Sequence, residues 1–341
     1  MVKVLSIEDV AKIIHKHGMQ NFMIQLVRYI KEDFLNWHKF NKVPRTAAHV
    51  KDGVIELMPI NNDALYSYKY VNGHPINPNN NKQTVIATGQ LSSVEDGYPL
   101  LISEMTLLTA FRTAATAALV TDLMAKKDST SLGLIGTGAQ SEFQILAHKD
   151  IRKINNFYHY DVDPSAMIKF EKNIKRYGLK SQRQASAKDV AEKSDILIIC
   201  TACKKHVDVI KKDWIHPGTH INGLGGDCPG KTEIDVELLP SSKIIVEYFD
   251  QSLIEGEIQR FNLEQAKKIV HAELWELLIK NKSTRLNDSE ITIFDSVGFA
   301  LEDYSALRLI YDLSFEYGLG SHLNMTPQIS DPKNLFSALN C

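Results

Sequence analysis

Two groups of residues have types and spacing that suit chemistry: a glycine turn followed by an acid, and a set of cations and carboxylates spread along the chain. The turn is Ser131-Leu132-Gly133-Leu134-Ile135-Gly136-Thr137-Gly138-Ala139-Gln140-Ser141. An apolar run ends in Gly136-x-Gly138, and a helix-permissive segment, Ala139 to His148, follows at once. A strand that turns sharply into a helix aims the helix's first N–H groups at one point, and glycines let a pyrophosphate come close to it. The next extended run, Ile154 to Tyr160, ends in Asp161-Val162-Asp163-Pro164. A carboxylate at that strand tip accepts from ribose hydroxyls and repels a 2′-phosphate, so Gly136, Gly138 and Asp161 predict a dinucleotide site that prefers NAD to NADP. Asp163, followed by proline, reads as the N-cap of the next helix. Ser141 stands at the third glycine position of the fingerprint, so the competing reading is a tight turn that binds nothing.

A second stretch, Gly225-Gly226-Asp227-Cys228-Pro229-Gly230-Lys231-Thr232, satisfies the P-loop pattern letter for letter. Physics counts against phosphate binding there. Asp227 would place a negative charge among the donors, and Pro229 removes a donor. The following Glu233-Ile234-Asp235-Val236-Glu237 is too acidic, and too short before Pro240, to be the required helix. Asp227 is the better candidate for chemistry itself, as a carboxylate that takes and returns protons during amine oxidation, with Lys231 facing the cofactor. Three cations complete the set: Arg45 at a strand start, Lys69 between Tyr68 and Tyr70, and Arg112 within Phe111-Arg112-Thr113-Ala114-Ala115-Thr116-Ala117-Ala118. On composition alone Arg112 reads equally well as a snorkelling surface residue. Cys200-Thr201-Ala202-Cys203 has C-x-x-C spacing, but Cys200 closes the apolar run Ile196 to Ile199 and no second ligand pair follows. The expectation is buried thiols in a cytoplasmic protein, with no metal.

The elements that must position these residues fall into two patterns. A helix starts at Ser6, with Val10, Ile13 and Ile14 on one side and Gly18 at its end, and Asn21 to Phe40 predicts a second. From Val43 the period becomes two: Arg45 to Val50, Val54 to Met58, Leu65 to Val71, Thr84 to Leu91 and Leu100 to Glu104 read as antiparallel strands. Asp52-Gly53 and Asp96-Gly97 supply hairpin turns, and Pro75 to Lys82 a mobile loop. A long helix, Met105 to Lys127, leads into alternating strands and helices, which imply a parallel sheet with helices on both faces. Its strands are expected at Ser131 to Ile135, Ile154 to Tyr160, Asp195 to Cys200, Thr219 to Leu224, Lys243 to Glu247 and Ile291 to Phe294. Helices are expected at Pro164 to Tyr177, Ala187 to Glu192, Gln251 to Phe261 and Phe299 to Tyr317. Ligands on such sheets bind at the strands' carboxyl ends, so Thr201, Asn222 to Asp227 and Ser296 to Gly298 should line the crevice. The expected fold class is α/β, a Rossmann-type doubly wound parallel sheet (126–315) plus a β-rich antiparallel domain for substrate binding and dimerisation (1–125 with 316–341).

The chain's 341 residues have room for two such domains, and a formal net charge of −2 gives no basic surplus for nucleic acid. The N-terminal Met1-Val2-Lys3-Val4-Leu5 is not expected to be a signal peptide, and no apolar stretch is expected to approach a membrane span.

Taken together, these residues resemble the ornithine cyclodeaminase/mu-crystallin family over essentially the whole chain, from about Pro44 to Gly318. The most specific stretches are Gly225 to Glu233 and Phe294-Asp295-Ser296-Val297-Gly298-Phe299-Ala300-Leu301-Glu302-Asp303-Tyr304. Val246-Glu247-Tyr248 and Ile254-Glu255-Gly256-Glu257-Ile258-Gln259 look like its cyclodeaminases in particular. The resemblance implies conversion of L-ornithine to L-proline and ammonia without net redox change, NAD being recycled. It implies a carboxylate clamp of Arg45, Lys69 and Arg112, with Asp227 as proton carrier. Glu56 and Met58, two apart on one strand, are assigned to the distal amine and the pocket wall, and Val297 lies toward the substrate. For the cofactor it carries over Thr84, Arg112, Ala139, Gln140, Asp161, Thr201, Ile221, Asn222, Gly223, Leu224, Lys231 and Ser296. It also implies a homodimer built through the β-rich domain. The nearest rival keeps the fold and makes the chain a simple NAD(P)-linked amino-acid dehydrogenase or ketimine reductase; a second makes it a non-enzymatic binding protein.

Overall fold

The computed structural model describes all residues except Asp52, Asp150, Arg152, Cys203, Lys204, Lys205, Asp227, Asn281 and Cys341. The chain forms two compact units: 1–19, 38–109 and 303–341 make the first, and 20–37 and 110–302 the second. The expected boundaries near 125 and 315 sit instead at the ends of two helices, Thr106–Met124 and Ala300–Glu316, that the division cuts.

The first unit is a mixed sheet. Its strands are β1 (Val2–Leu5), β2 (Asn41–Lys42), β3 (Thr46–Val50), β4 (Gly53–Asn61), β5 (Leu65–Gly73), β6 (Val85–Ser93) and β7 (Pro99–Glu104), closed by a short strand at Ser321–Leu323. β3 to β7 follow the predicted alternation. They pair as antiparallel neighbours, β3 on β4, then β4-β5-β6-β7. The sheet is not purely antiparallel, because β1 lies parallel to β7. Helix α1 (Ile7–His17) starts at Ser6 with a complete capping box to Asp9 and ends at Gly18, whose φ of 85° suits glycine. The 75–82 loop contains an exposed 3-10 turn, Asn77–Asn80.

The second unit is built on an eight-stranded, all-parallel sheet. In chain order its strands are β8 (Ser131–Ile135), β9 (Asn156–Tyr160), β10 (Gln182–Arg183), β11 (Ile196–Ile199), β13 (His220–Gly223), β15 (Lys243–Val246), β16 (Val270–Glu273) and β17 (Thr292–Asp295). Their spatial order is β10-β9-β8-β11-β13-β17-β15-β16, which reverses at β8 in the doubly wound manner. A separate parallel pair joins β12 (His206–Ile210) to β14 (Thr232–Ile234); with Ser321–Leu323 as β18, this completes the strands. Parallel strands covered on both faces are apolar throughout, and every residue of β8, β11 and β13 is buried. Leu132, Leu134, Ile196 and Ile198 pack on one core with Phe170 and Ile174, while Ile135, Leu197, Ile199, Ile221 and Ile293 pack on another.

The helices are α2 (Met19–Leu35), α3 (Thr106–Met124), α4 (Ser141–His148), α5 (Pro164–Lys175), α6 (Ala187–Ala191), α7 (Phe249–Glu255), α8 (Leu263–Ile269), α9 (Leu274–Ile279) and α10 (Ala300–Glu316). α8 and α9 fall where no helix is expected, and three others depart from expectation. α2 stops at Leu35, where Asn36 turns its side-chain amide back onto the Glu32 carbonyl, and a 3-10 turn at Trp37–Lys39 replaces the last turn. The predicted helix Gln251 to Phe261 breaks at Gly256, because the Asp295 carboxylate accepts from the N–H groups of Glu257 and Ile258. Contrary to the expectation that no stretch approaches a membrane span, α3 is long and apolar enough by length and composition. However, 72% of its apolar window is buried in the protein.

Candidate active site

In the first unit, Glu56 and Met58 lie two apart on β4, hence on one face, and Lys69 on β5 stands directly opposite Met58. All three are buried. Arg45, just before β3, donates from Nη1 to Glu56 Oε2 at 3.1 Å. The other oxygen, Oε1, is buried and has no hydrogen-bond partner among the described residues. Lys69 is 1% exposed and bonds the Asp303 carboxylate at 2.8–2.9 Å. Four of the expected substrate residues are therefore brought to one region of this unit. Thr84 sits just before β6, half-buried, and its carbonyl accepts from His74 N–H.

In the second unit, β8 delivers the glycine turn to the reversal point of the sheet. Gly136 has φ 96°, and a Cβ there would lie 2.7 Å from the Cys200 carbonyl oxygen, so the residue must be glycine. Gly138 is different: a Cβ there would meet nothing within 4 Å. That open space lies ahead of α4, whose N-cap residue Gln140 makes no capping bond through its side chain. Asp161, just past β9, accepts from the Thr137 N–H at 2.5 Å and the Thr137 hydroxyl at 3.0 Å, so the predicted ribose acid is tied to the turn. Asp163 caps α5 as expected, bonding Ser165 N–H at 2.8 Å.

The neighbouring strand tips carry the rest. Asn222, fully buried on β13, donates to Thr121 Oγ1 at 2.9 Å; Thr121 is 3.0 Å from His148 Nε2, and His148 Nδ1 is 2.8 Å from the Gln144 carbonyl. Burial pushes His148 down to about 4, so the ring is neutral and takes a proton on one nitrogen only. Asn222 Oδ1 is buried without a partner among the described residues. Ile221 is buried beside it, Gly223 ends the strand, and Leu224 N–H bonds Ile199. These features fit a dinucleotide: space at Gly138, a helix start with no side-chain cap, and a buried acceptor on a neighbouring strand.

Around the second glycine stretch the structure places acids that sequence reasoning missed. The Thr201 hydroxyl bonds Glu233, and the Thr201 carbonyl accepts from Lys231 Nζ at 3.3 Å. Glu257 accepts from the N–H groups of Glu233 and Ile234, and Asp295 holds those of Glu257 and Ile258 in turn. Burial raises Glu257 well above the ordinary carboxylate range, helped by the charge of Asp295, and pushes Asp295 up to about 7. Gly225 and Gly226 lie against the Glu233 and Glu257 carboxylates. The segment after Lys231 is the strand β14, not a helix, which removes the P-loop reading. Asp227, the expected proton carrier, lies outside the described residues, as does Cys203. Cys200 is half-buried, with its thiol raised by desolvation and bonded to the Gly136 carbonyl, so it serves packing.

The segment 296–298 is held by Glu247, which accepts from the Ser296 hydroxyl at 2.5 Å and from the N–H groups of Val297 and Gly298 at 3.3 and 3.2 Å. Arg112, 5% exposed, lies against Gly298 and donates to Glu302 Oε2 at 2.7 Å. It is a buried ionic residue, not a snorkelling one.

The sequence profile of the ornithine cyclodeaminase/mu-crystallin family matches residues 7–317. The chain belongs to this family. It is 45% identical to an ornithine cyclodeaminase of Agrobacterium fabrum over 339 residues, which cover 99% of this chain and 95% of that protein. Among solved structures, a lysine cyclodeaminase described as recognising L-lysine, L-ornithine and L-2,4-diaminobutyric acid superposes with a TM-score of 0.93 at 25% identity, covering 99% of each chain. An archaeal alanine dehydrogenase dimer with bound NAD superposes with a TM-score of 0.87 at 31% identity, covering 95% of this chain and 99% of that one.

Proposed function

We propose that this family member converts L-ornithine to L-proline and ammonia, with NAD⁺ as a recycled cofactor. The observation that carries the reading is Glu56 Oε1, a buried carboxylate oxygen without a partner among the described residues, on the same sheet face as Lys69. A diamino acid has an anion at one end and a second ammonium at the other, and this face offers a match for each. A simple amino-acid dehydrogenase has no use for the second.

Arg45, Lys69 and Arg112 bind the α-carboxylate, the two guanidinium groups through paired donors. Holding the carboxylate fixes Cα, and such positioning is worth up to about 7–11 kcal/mol of barrier at its extreme. Glu56 accepts from the distal ammonium, and Met58 and Val297 wall the aliphatic chain. Bound NAD⁺ supplies reversible acceptance of a hydrogen and its electron pair from carbon. Asp227 takes the δ-amine's proton so that nitrogen can attack the substrate's imine carbon, and later returns a proton to the departing ammonia. Gly136, Gly138, Ala139, Gln140, Asp161, Thr84, Thr201, the 221–224 strand end, Lys231 and Ser296 hold the cofactor. The active form is a cytoplasmic homodimer assembled through the β-rich domain.

The test is incubation with L-ornithine and substoichiometric NAD⁺, following proline, ammonia and NADH absorbance. Equal proline and ammonia over many turnovers, with no lasting NADH, is expected. NADH rising in step with substrate loss would mean an ordinary dehydrogenase.

A further inference from the structure

The motif Phe294 to Tyr304 contains two consecutive acids whose role the reaction scheme leaves unused. Glu302 is fully buried and accepts from Arg112 Nη1 at 2.7 Å; Asp303 is 1% exposed and bonds Lys69 Nζ at 2.8–2.9 Å. Each acid thus meets one cation of the proposed carboxylate clamp, each within its own unit. The guanidinium of Arg112 also has a floor. Gly298 has φ 74°, and a Cβ there would collide with the Arg112 nitrogens. Its N–H is fixed by Glu247 at 3.2 Å and its carbonyl by Gln251 Nε2 at 2.7 Å.

Long cationic side chains lose much rotamer freedom when a ligand captures them, unless other bonds hold them already. A buried cation without a counter-charge is also strongly disfavoured, as any unpaired ion in a protein interior is. We propose that Glu302 and Asp303 are positioning residues: each holds the cation it meets, Arg112 or Lys69, pre-aimed for a substrate carboxylate. This rests on the reading of Arg112 and Lys69 as carboxylate binders.

The test uses the full chain with Glu302→Gln, Asp303→Asn and the charge-conserving Glu302→Asp and Asp303→Glu. Each neutral variant is expected to raise KM for L-ornithine at least tenfold, with kcat within threefold and the NAD⁺ dissociation constant within threefold. The conservative variants are expected to recover a large part of that loss. A second readout needs no substrate: NMR of the Arg112 Nη and Lys69 ammonium protons, whose exchange should quicken at least tenfold in the matching variant. If wild type fails to turn over ornithine, the functional reading falls and the exchange rates alone decide this inference. Should both neutral variants fail to fold, Glu302→Asp and Asp303→Glu decide it through the same exchange rates and KM, since they keep every charge and only shift the carboxylate. A lowered Tm with unchanged KM, or unchanged exchange, would reduce both acids to structural ion pairs and overturn the proposal.

Discussion

Replacing Glu56 with Gln tests the selectivity for a diamino acid directly. The side chain keeps its shape, and its amide oxygen can still accept from Arg45, so the 3.1 Å contact survives in weakened form. What disappears is the buried negative charge on the oxygen that has no partner among the described residues. A hydrogen bond to a charged group contributes about 1.5–3 kcal/mol. That corresponds to about 10- to 150-fold in kcat/KM. The control ligand is L-norvaline, which has the carboxylate, the α-amine and the same carbon chain but no δ-amine. In Glu56→Gln, KM for L-ornithine should rise within that range while the inhibition constant of L-norvaline moves less than threefold. Parallel weakening of both ligands would mean that Arg45 had lost its position and that Glu56 has no direct role. No change in either would refute the assignment of the distal amine to Glu56.

The two glycines of the turn should behave oppositely. Gly136→Ala meets the Cys200 carbonyl at a positive φ and should destabilise the fold by at least about 2 kcal/mol in urea titration, the scale of a backbone strain plus a steric clash. Gly138→Ala meets nothing, so its unfolding midpoint should stay near wild type while NAD⁺ binding by calorimetry weakens at least tenfold; unchanged NAD⁺ affinity would remove the cofactor from that space. His148 gives a pH signature. Its pKa falls from 6.5 to about 4 on folding, so the unfolded chain binds the proton first, and stability is lost as pH drops from about 6.5 toward 4. At 1.36 kcal/mol per unit, the loss is about 3 kcal/mol by pH 4. Urea unfolding of wild type minus that of His148→Gln across this window should show it, and a flat difference would mean that the ring is accessible to protons in the folded state.

Much of the architecture was legible because its signals are local. Alternation in β3 to β7, the Gly136 turn, the Ser6 and Asp163 caps and the apolar runs of β8, β11 and β13 each follow from a few adjacent residues. Elements were missed where the cause is distant. β1 is four residues long, and its place is set by pairing with β7 and β18, nearly a hundred and more than three hundred positions away. The 251–261 helix breaks because Asp295, on another strand, takes the N–H groups it would need. α8, β16 and α9 run together over 263–279 without a glycine or proline to mark their joints.

The site divides along the same line. A cation that can grip a carboxylate is conspicuous in sequence, so Arg45, Lys69 and Arg112 could be picked out one by one. The acids that hold them could not, because Glu302-Asp303 at a helix start reads as an ordinary favourable interaction with the helix dipole. Only the fold shows that these two carboxylates are buried on Arg112 and Lys69. The same holds for Glu233, Glu257 and Asp295, where each acid bonds a segment far along the chain and two glycines lie flat against the first two. Acids of this kind tie the Gly225-Gly226 backbone to the strand end at Asp295 through buried hydrogen bonds. A substitution there should therefore disturb catalysis from beyond contact range of the substrate, and changing a cation should cost both binding and the positioning of Cα.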